Sequence, residues 1–218
     1  MFKDIYEIYY NLFFHSPQFL KLSPPTDFAS RYLDYNVYAT NELNKNYIQF
    51  VRDFIIKNKV KTVVDIGCGD WQFSDQIYHD LDINYEGYDC VKHLIEEHKK
   101  RFSKKNNYHF HHINGDNITN SIETKNPDLI ILKDVIQHWT NENIVKFFDS
   151  IHSSLKFKTI LLTNDHTSYD NVNIQTGQYR RLNLDKEPFI TLRKKFLFQT
   201  VFEFNSGDDK TTFQVTKL

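Results

Sequence analysis

The chain has 218 residues, with 27 Lys and Arg against 28 Asp and Glu, for a net charge of -1. That balance gives no bulk attraction to nucleic acid or to an anionic membrane surface. Hydrophobic residues make up 40% and aromatics 16%, so the chain can build a sizeable core, and its length fits one large domain better than two.

The first fourteen residues, MFKDIYEIYYNLFF, carry Asp4 and Glu7 inside an apolar stretch. That pattern is unlike a secretory signal, and no apolar run reaches membrane-spanning length, so a cytoplasmic protein without membrane contact is expected. Apolar residues at helical spacing (Ile5, Ile8, Tyr9, Leu12, Phe13) predict a helix within 1–22, ended by Ser23-Pro24-Pro25-Thr26. A second amphipathic stretch over 41–57 puts Leu43, Tyr47, Ile48, Val51 and Ile55 on one face. Residues 1–58 are therefore expected to form an N-terminal helical extension that covers the ligand cleft of a domain spanning 59–218.

From Lys61 the pattern changes to short apolar runs alternating with helical ones. Strands are predicted at 62–66, 85–88, 108–113, 128–132 and 159–163. Helices are predicted between them at 71–81, 91–102, 119–124 and 141–155. Alternation of this kind indicates a doubly wound, mostly parallel α/β sheet with helices on both faces. Near the end, a helix at 189–195 precedes strand-like runs at 198–204 and 210–217, separated by Asn205-Ser206-Gly207-Asp208-Asp209. That is the signal of an antiparallel hairpin and brings the sheet to seven strands.

The central motif is Val63-Val64-Asp65-Ile66-Gly67-Cys68-Gly69-Asp70-Trp71, a β-branched run entering a glycine turn and then a helix. In open α/β sheets ligands bind beyond the carboxyl ends of the strands, at the switch point of the winding. A dinucleotide site needs a third glycine five residues after the first, and that position holds Gln72, which argues against a nicotinamide oxidoreductase. The acidic residue, any residue, Gly, any residue, Gly pattern of Asp65, Gly67 and Gly69 resembles instead the first motif of class I, Rossmann-like methyltransferases that use S-adenosylmethionine (SAM). The resemblance covers roughly residues 60–217. It departs from the family at Trp71, where a third glycine is common, and the indole is expected to narrow the methionine end of the site or stack on the ligand.

The resemblance implies SAM as cofactor and S-adenosylhomocysteine as product. It implies that Asp89, 24 residues after Asp65 at the end of the second strand, holds the ribose hydroxyls. At the third strand end, Asp116 meets the adenine amino group while Asn117 and Ile118 line the ring. Cys68 and Cys90 fall beside these cofactor loops, and two cysteines neither make a disulfide framework nor show zinc-site spacing, so no metal is expected. Four of the six glycines (Gly67, Gly69, Gly87, Gly115) are placed at the ends of the first three strands.

In the resembled family the fourth strand end faces both the sulfonium and the methyl acceptor. Lys133 is placed there on the cofactor side, Asp134 as a catalytic residue and Gln137 on the acceptor side. His138 is the first candidate base and His166, after the fifth strand, the second, because histidine suits proton removal from a hydroxyl near neutral pH. Lys133 and Asp134 are adjacent, so their side chains would start on opposite sides of a continuing strand. The long loop 168–188 reads as a lid or binding loop. It brings Tyr179, Arg180 and Arg181 to the acceptor, with Asp165 at the strand end before it. Its run of Tyr-Arg, Leu-x-Leu-Asp and Pro-Phe is similar to a methyltransferase group whose members occur near glycan-assembly genes.

These readings lead to O-methylation of a small polar acceptor, such as a sugar or nucleotide-sugar. The alternatives are N-methylation of an amino sugar or protein, and a SAM-binding partner subunit with no transfer activity of its own. With 19 Phe and 13 Tyr, exposed aromatic surface is expected, which would suit a homodimer.

Overall fold

The computed structural model describes residues 42–71, 73–113, 118–122, 125–154, 156–204 and 210–218. The expected helix within 1–22, the break at 23–26, Gly115, Asp116, Asn117 and the hairpin turn 205–209 lie outside the described residues.

Helix α1 (Glu42–Lys57) leads into strand β1 (Thr62–Ile66). Then follow α2 (Ser74–Tyr78), β2 (Asn84–Asp89), α3 (Lys92–Arg101) and β3 (Tyr108–His112). After α4 (Ile118–Ile122) come β4 (Leu129–Lys133), α5 (Asn141–Ser154) and β5 (Thr159–Asp165). The chain closes with β6 (Phe196–Glu203) and β7 (Lys210–Lys217). The strands form one seven-stranded sheet in the order β3-β2-β1-β4-β5-β7-β6. Strands β1 to β5 pair in parallel, and β7 runs antiparallel between β5 and β6. The winding reverses between β1 and β4, the switch point at which such sheets bind ligands.

Side-chain alternation along the strands supplies the two faces. Val64, Ile66, Ile130, Leu132, Ile160 and Leu162 bury one face against α4 and α5. Val63, Leu129, Ile131 and Leu161 bury the other, and Tyr47, Ile48, Val51 and Ile55 of α1 lie in that same core. Arg52 ties α1 to α2 by donating to the Ile77 carbonyl at 2.8 Å and pairing with Asp80 at 2.8 Å. Helix α1 is thus built into the sheet domain.

Two predicted elements and one glycine differ from expectation. The helix predicted over 71–81 shrinks to five residues, because Trp71 takes a left-handed backbone (φ 62°) and delays the helix. The segment Phe189–Lys194 is a 3-10 helix rather than an α-helix. Gly87 sits inside β2, not at its end; a Cβ there would come within 2.9 Å of Tyr85 and 3.1 Å of the Cys68 sulfur. The aromatic residues among those described are largely spent on the core. Among the described residues, the exposed large apolar side chains are Ile56, Tyr169, Val172, Ile190, Leu197 and Leu218, which include one aromatic ring. No helix among them is long and apolar enough to cross a membrane.

Candidate active site

The glycine turn after β1 is held from three sides. Gly67 and Gly69 both adopt positive φ, 77° and 58°. The Gly67 and Cys68 amides donate to the Tyr88 carbonyl at 2.7 and 3.1 Å. His98 of α3 points Nε2 at the Gly69 carbonyl at 2.7 Å. A carbonyl only accepts, so Nε2 carries the proton. A Cβ on Gly67 would strike Val135 at 2.4 Å, whereas a Cβ on Gly69 would meet nothing within 4 Å. The turn is therefore packed against the β4 exit at Gly67 and open at Gly69, where a ligand can approach the backbone.

Two buried carboxylates stand at adjacent strand ends beside this turn. Asp89 closes β2 and accepts from the Gly69 amide at 3.0 Å and the Val91 amide at 2.8 Å. Burial pushes its proton affinity up, and the two amides partly offset that. Asp65 accepts from the Tyr85 hydroxyl at 2.7 Å. Burial is the main reason its pKa is pushed up to about 7, with Asp89 adding to the rise and Tyr85 and Lys133 opposing it. This pair of acids at an open glycine turn fits a ligand with ribose hydroxyls and a cationic amino-acid tail.

Trp71 corrects the expectation that its indole contacts the ligand. The side chain is 1% exposed and lies among Tyr78, Tyr85, Phe102, Tyr108 and Phe110, below the turn. Its indole N–H donates to the Tyr85 hydroxyl at 2.9 Å. Cys68 is buried and Cys90 exposed, the Cys90 side chain hydrogen-bonds Asp89, and burial raises the Cys68 pKa well above its ordinary value. Ile118 is buried in the same cluster as Tyr88 and Ile122.

The second half of the site is a charge cluster at the exits of β4 and β5. The condition under which Lys133 and Asp134 would diverge, a strand continuing through both, is not met. Strand β4 ends at Lys133, and Asp134 takes φ 58°, so the two side chains turn back into a direct ion pair. Lys210 at the start of β7 completes the arrangement, at 2.9 Å from Asp134 and 3.6 Å from Asp165. Burial works against the Asp134 charge, but the two lysines outweigh it and hold the carboxyl far below its ordinary range. Asp165 accepts from the Tyr179 hydroxyl at 2.6 Å, and its amide donates to Gln137 Oε1 at 3.3 Å. The Lys133 ammonium also lies 5.7 Å from the Tyr47 ring and 5.4 Å from the Phe73 ring, so α1 contributes to the site.

His138 lies in the 3-10 turn Ile136–His138 directly after this cluster. Its Nδ1 contacts the Gln178 carbonyl at 3.0 Å, so Nδ1 carries the proton and Nε2 keeps its lone pair. Burial holds its pKa below the ordinary value, which leaves the ring neutral at pH 7. His166 follows Asp165 and is bridged through its backbone to Leu182.

The loop 168–188 is anchored rather than loose. Gly177 donates to the His138 carbonyl at 2.8 Å, and Leu182 donates to the Asp165 carbonyl at 2.9 Å. Leu182 and Leu184 are buried in the core. Arg180 is also buried, donating to the Gln137 carbonyl at 3.0 Å and to Asn141 Oδ1 at 2.8 Å, and burial lowers its pKa to about 10. Its guanidinium therefore stitches the loop to the β4 exit and α5. Arg181 is half-buried.

Sequence reasoning missed Lys210, Tyr47, Tyr85 and His98. Lys210 comes from the far end of the chain and only the β5–β7 register, which pairs it with Asp165, reveals it. Tyr47 and Tyr85 carried the pattern of core residues.

A family model described as "Methyltransferase domain" matches residues 57–205. Among solved structures, the chain resembles the methyltransferase domain of a bacterial Hen1 protein, CtHen1-C, with TM-score 0.59 and 14% identity over 80% of this chain and 98% of that one. It also resembles human N-acetylserotonin methyltransferase in complex with SAM, with TM-score 0.56 and 14% identity over 78% of this chain and 51% of that one. The mitomycin 7-O-methyltransferase MmcR superimposes with TM-score 0.55 and 11% identity over 78% of this chain and 54% of that one. At these identities the structural likeness establishes the fold. No curated protein matches the sequence. With its family model spanning most of the sheet domain, the chain belongs to the class I methyltransferase family and is a SAM-dependent methyltransferase.

Proposed function

We propose that the protein methylates a hydroxyl oxygen of a small polar acceptor, with a sugar as the acceptor class and His138 as the base. The observation that carries this reading is the His138 tautomer. A neutral imidazole with Nδ1–H on the Gln178 carbonyl has its lone pair on Nε2, the form that removes a proton from a hydroxyl. In this reading Asp65, Gly67, Cys68, Gly69, Asp89 and Cys90 form the cofactor side, with Lys133 next to it. Asp116, Asn117 and Ile118 serve the adenine. When bound, SAM supplies a methyl group on a cationic sulfur, which leaves as a neutral thioether.

The chain's own residues orient the acceptor beside that methyl, exclude water and take up the hydroxyl proton at His138. Gln137, Asp165 and Tyr179 supply the donors and acceptors a polyol needs. The cluster pairs two lysines with two aspartates, so it favours an uncharged hydroxyl group. Arg180, with both terminal nitrogens used internally, is withdrawn from any phosphate clamp, which favours a plain sugar over a nucleotide-sugar. A second reading has its own support: Asp134 and Asp165 around Lys210 form a carboxylate pair that would equally take a substrate ammonium, the arrangement needed for N-methylation of an amino sugar or a protein amine.

The first test is calorimetric titration with S-adenosylhomocysteine, with NADH as control. Micromolar binding of the first and none of the second is expected; binding of NADH alone would overturn the cofactor assignment. The second is a labelled-methyl screen of neutral sugars, amino sugars and nucleotide-sugars. His138→Ala should lower turnover by about 10²–10⁴-fold on the best acceptor, and unchanged turnover would remove the base.

A further inference from the structure

Where this family commonly has a third glycine, the chain places Trp71, and that indole belongs to a short buried chain of hydrogen bonds. Trp71 Nε1–H donates to the Tyr85 hydroxyl at 2.9 Å, and Tyr85 donates to Asp65 at 2.7 Å. All three residues are nearly inaccessible, at 1%, 0% and 6% exposure. The chain of bonds is directional. The indole nitrogen only donates, so it takes a lone pair of the tyrosine oxygen and commits the tyrosine proton to Asp65.

We propose that Tyr85, backed by Trp71, is a positioning residue for cofactor binding: it keeps Asp65 as an anion at the mouth of the glycine turn, so that the charge state of Asp65 gates SAM. The inference rests on the SAM-site reading above and adds Tyr85 and Trp71 to it.

The surroundings of Asp65 make such a support necessary. Asp89 at the end of β2 opposes its ionisation, and Lys133 at the end of β4 favours it. Tyr47 of α1 and Tyr78 of α2 face it from the helical layer, each with its own ionisation pushed up by burial. Cys68 lies in the turn itself and stays a thiol. Burial dominates, so Asp65 titrates near neutrality, and the Tyr85 hydrogen bond is the strongest influence that favours the anion. The sign follows. The carboxylate form is lost as pH falls through about 7. The cationic tail of SAM then loses its partner, and affinity drops with it. Removing the tyrosine hydroxyl raises the pH at which this happens. Removing the indole N–H leaves the tyrosine in place with a weaker commitment of its proton, so it acts in the same direction and less.

The test has two independent readouts. The first is the ¹³C-carboxyl NMR titration of Asp65 in the ligand-free protein, in wild type, Tyr85→Phe and Trp71→Phe. The midpoint should rise by about one pH unit in Tyr85→Phe and by less in Trp71→Phe. The second is the pH dependence of S-adenosylhomocysteine affinity by calorimetry, which should follow the same midpoints, while Asp65→Asn should flatten it and so separate Asp65 from the neighbouring His98.

A uniform loss of affinity at every pH with an unmoved midpoint would mean that Tyr85 only packs, and would overturn the proposal. Unchanged midpoints in both variants would overturn it as well. If Tyr85→Phe fails to fold, Trp71→Phe carries the same comparison alone. Failure of the underlying SAM-site reading looks different: the wild type itself would not bind S-adenosylhomocysteine at any pH.

Discussion

Asp89 answers to two demands at once. Both carboxylate oxygens accept backbone N–H groups, so the residue builds the glycine turn, and in the proposed cofactor site it also holds the ribose. Asp89→Ala should weaken S-adenosylhomocysteine binding by about 1–3 kcal/mol, checked by calorimetry, and should lower the melting temperature too because the Gly69 and Val91 amides lose their acceptor. Affinity equal to wild type would remove Asp89 from the cofactor site. His138 makes a separate prediction about pH. Its pKa is lowered from the ordinary 6.5, so the basic form is complete at neutrality and is lost on acidification through that depressed value. At saturating cofactor, where Asp65 is held in its bound state, the rate should therefore stay flat on the alkaline side and fall only on the acid side of that ordinary value, as measured by a kcat profile. At this scale the sequence was legible where geometry is local, as in the turn at Gly67 and Gly69, whose positive φ only glycine adopts readily. It was opaque where a role depends on direction. Trp71 turns its indole into the core, and Arg180 spends its guanidinium on Gln137 and Asn141, because the left-handed backbone at one and the anchored loop at the other decide where the side chain goes.

Between elements, the contact of Gly67 with Val135 couples the turn after β1 to the exit of β4. Gly67→Ala should destabilise the fold by at least about 1–2 kcal/mol from the left-handed conformation alone, with the Val135 clash added to it. Val135→Ala in the same chain should recover part of that loss, and a denaturation double-mutant cycle with no coupling would show that the two do not touch. The loop 168–188 makes a comparable claim. Arg180→Met strips donors from the Gln137 carbonyl and Asn141, and should cost about 1–3 kcal/mol by chemical denaturation. A variant as stable as wild type would return Arg180 to the acceptor. Alternation of short apolar runs with helical ones was enough to place every strand to within two residues at each end. The lengths of α2 and of the 3-10 helix at Phe189–Lys194 were not readable, because Trp71 and local turn geometry override the apolar spacing there.

For the molecule as a whole, the mostly parallel winding and the closing hairpin were both visible in the pattern of runs, since short apolar runs alternating with helical ones imply parallel crossovers. The insertion of β7 between β5 and β6 is a long-range pairing that no local pattern encodes, and it is what delivers Lys210 to Asp134 and Asp165. That pairing also sets an order of assembly during synthesis. Strands β1 to β5 can associate in parallel as they leave the ribosome, but the outer edge of β5 has no neighbour until residues 210–217 arrive. A ribosome stalled between β5 and β7 would hold a nascent chain with Thr159–Asp165 as a bare, largely apolar edge, open to pairing with another chain. The lysine that bridges the two aspartates is the last part of the charge cluster to be translated, so that cluster comes into being only once the sheet has closed over its own final strand.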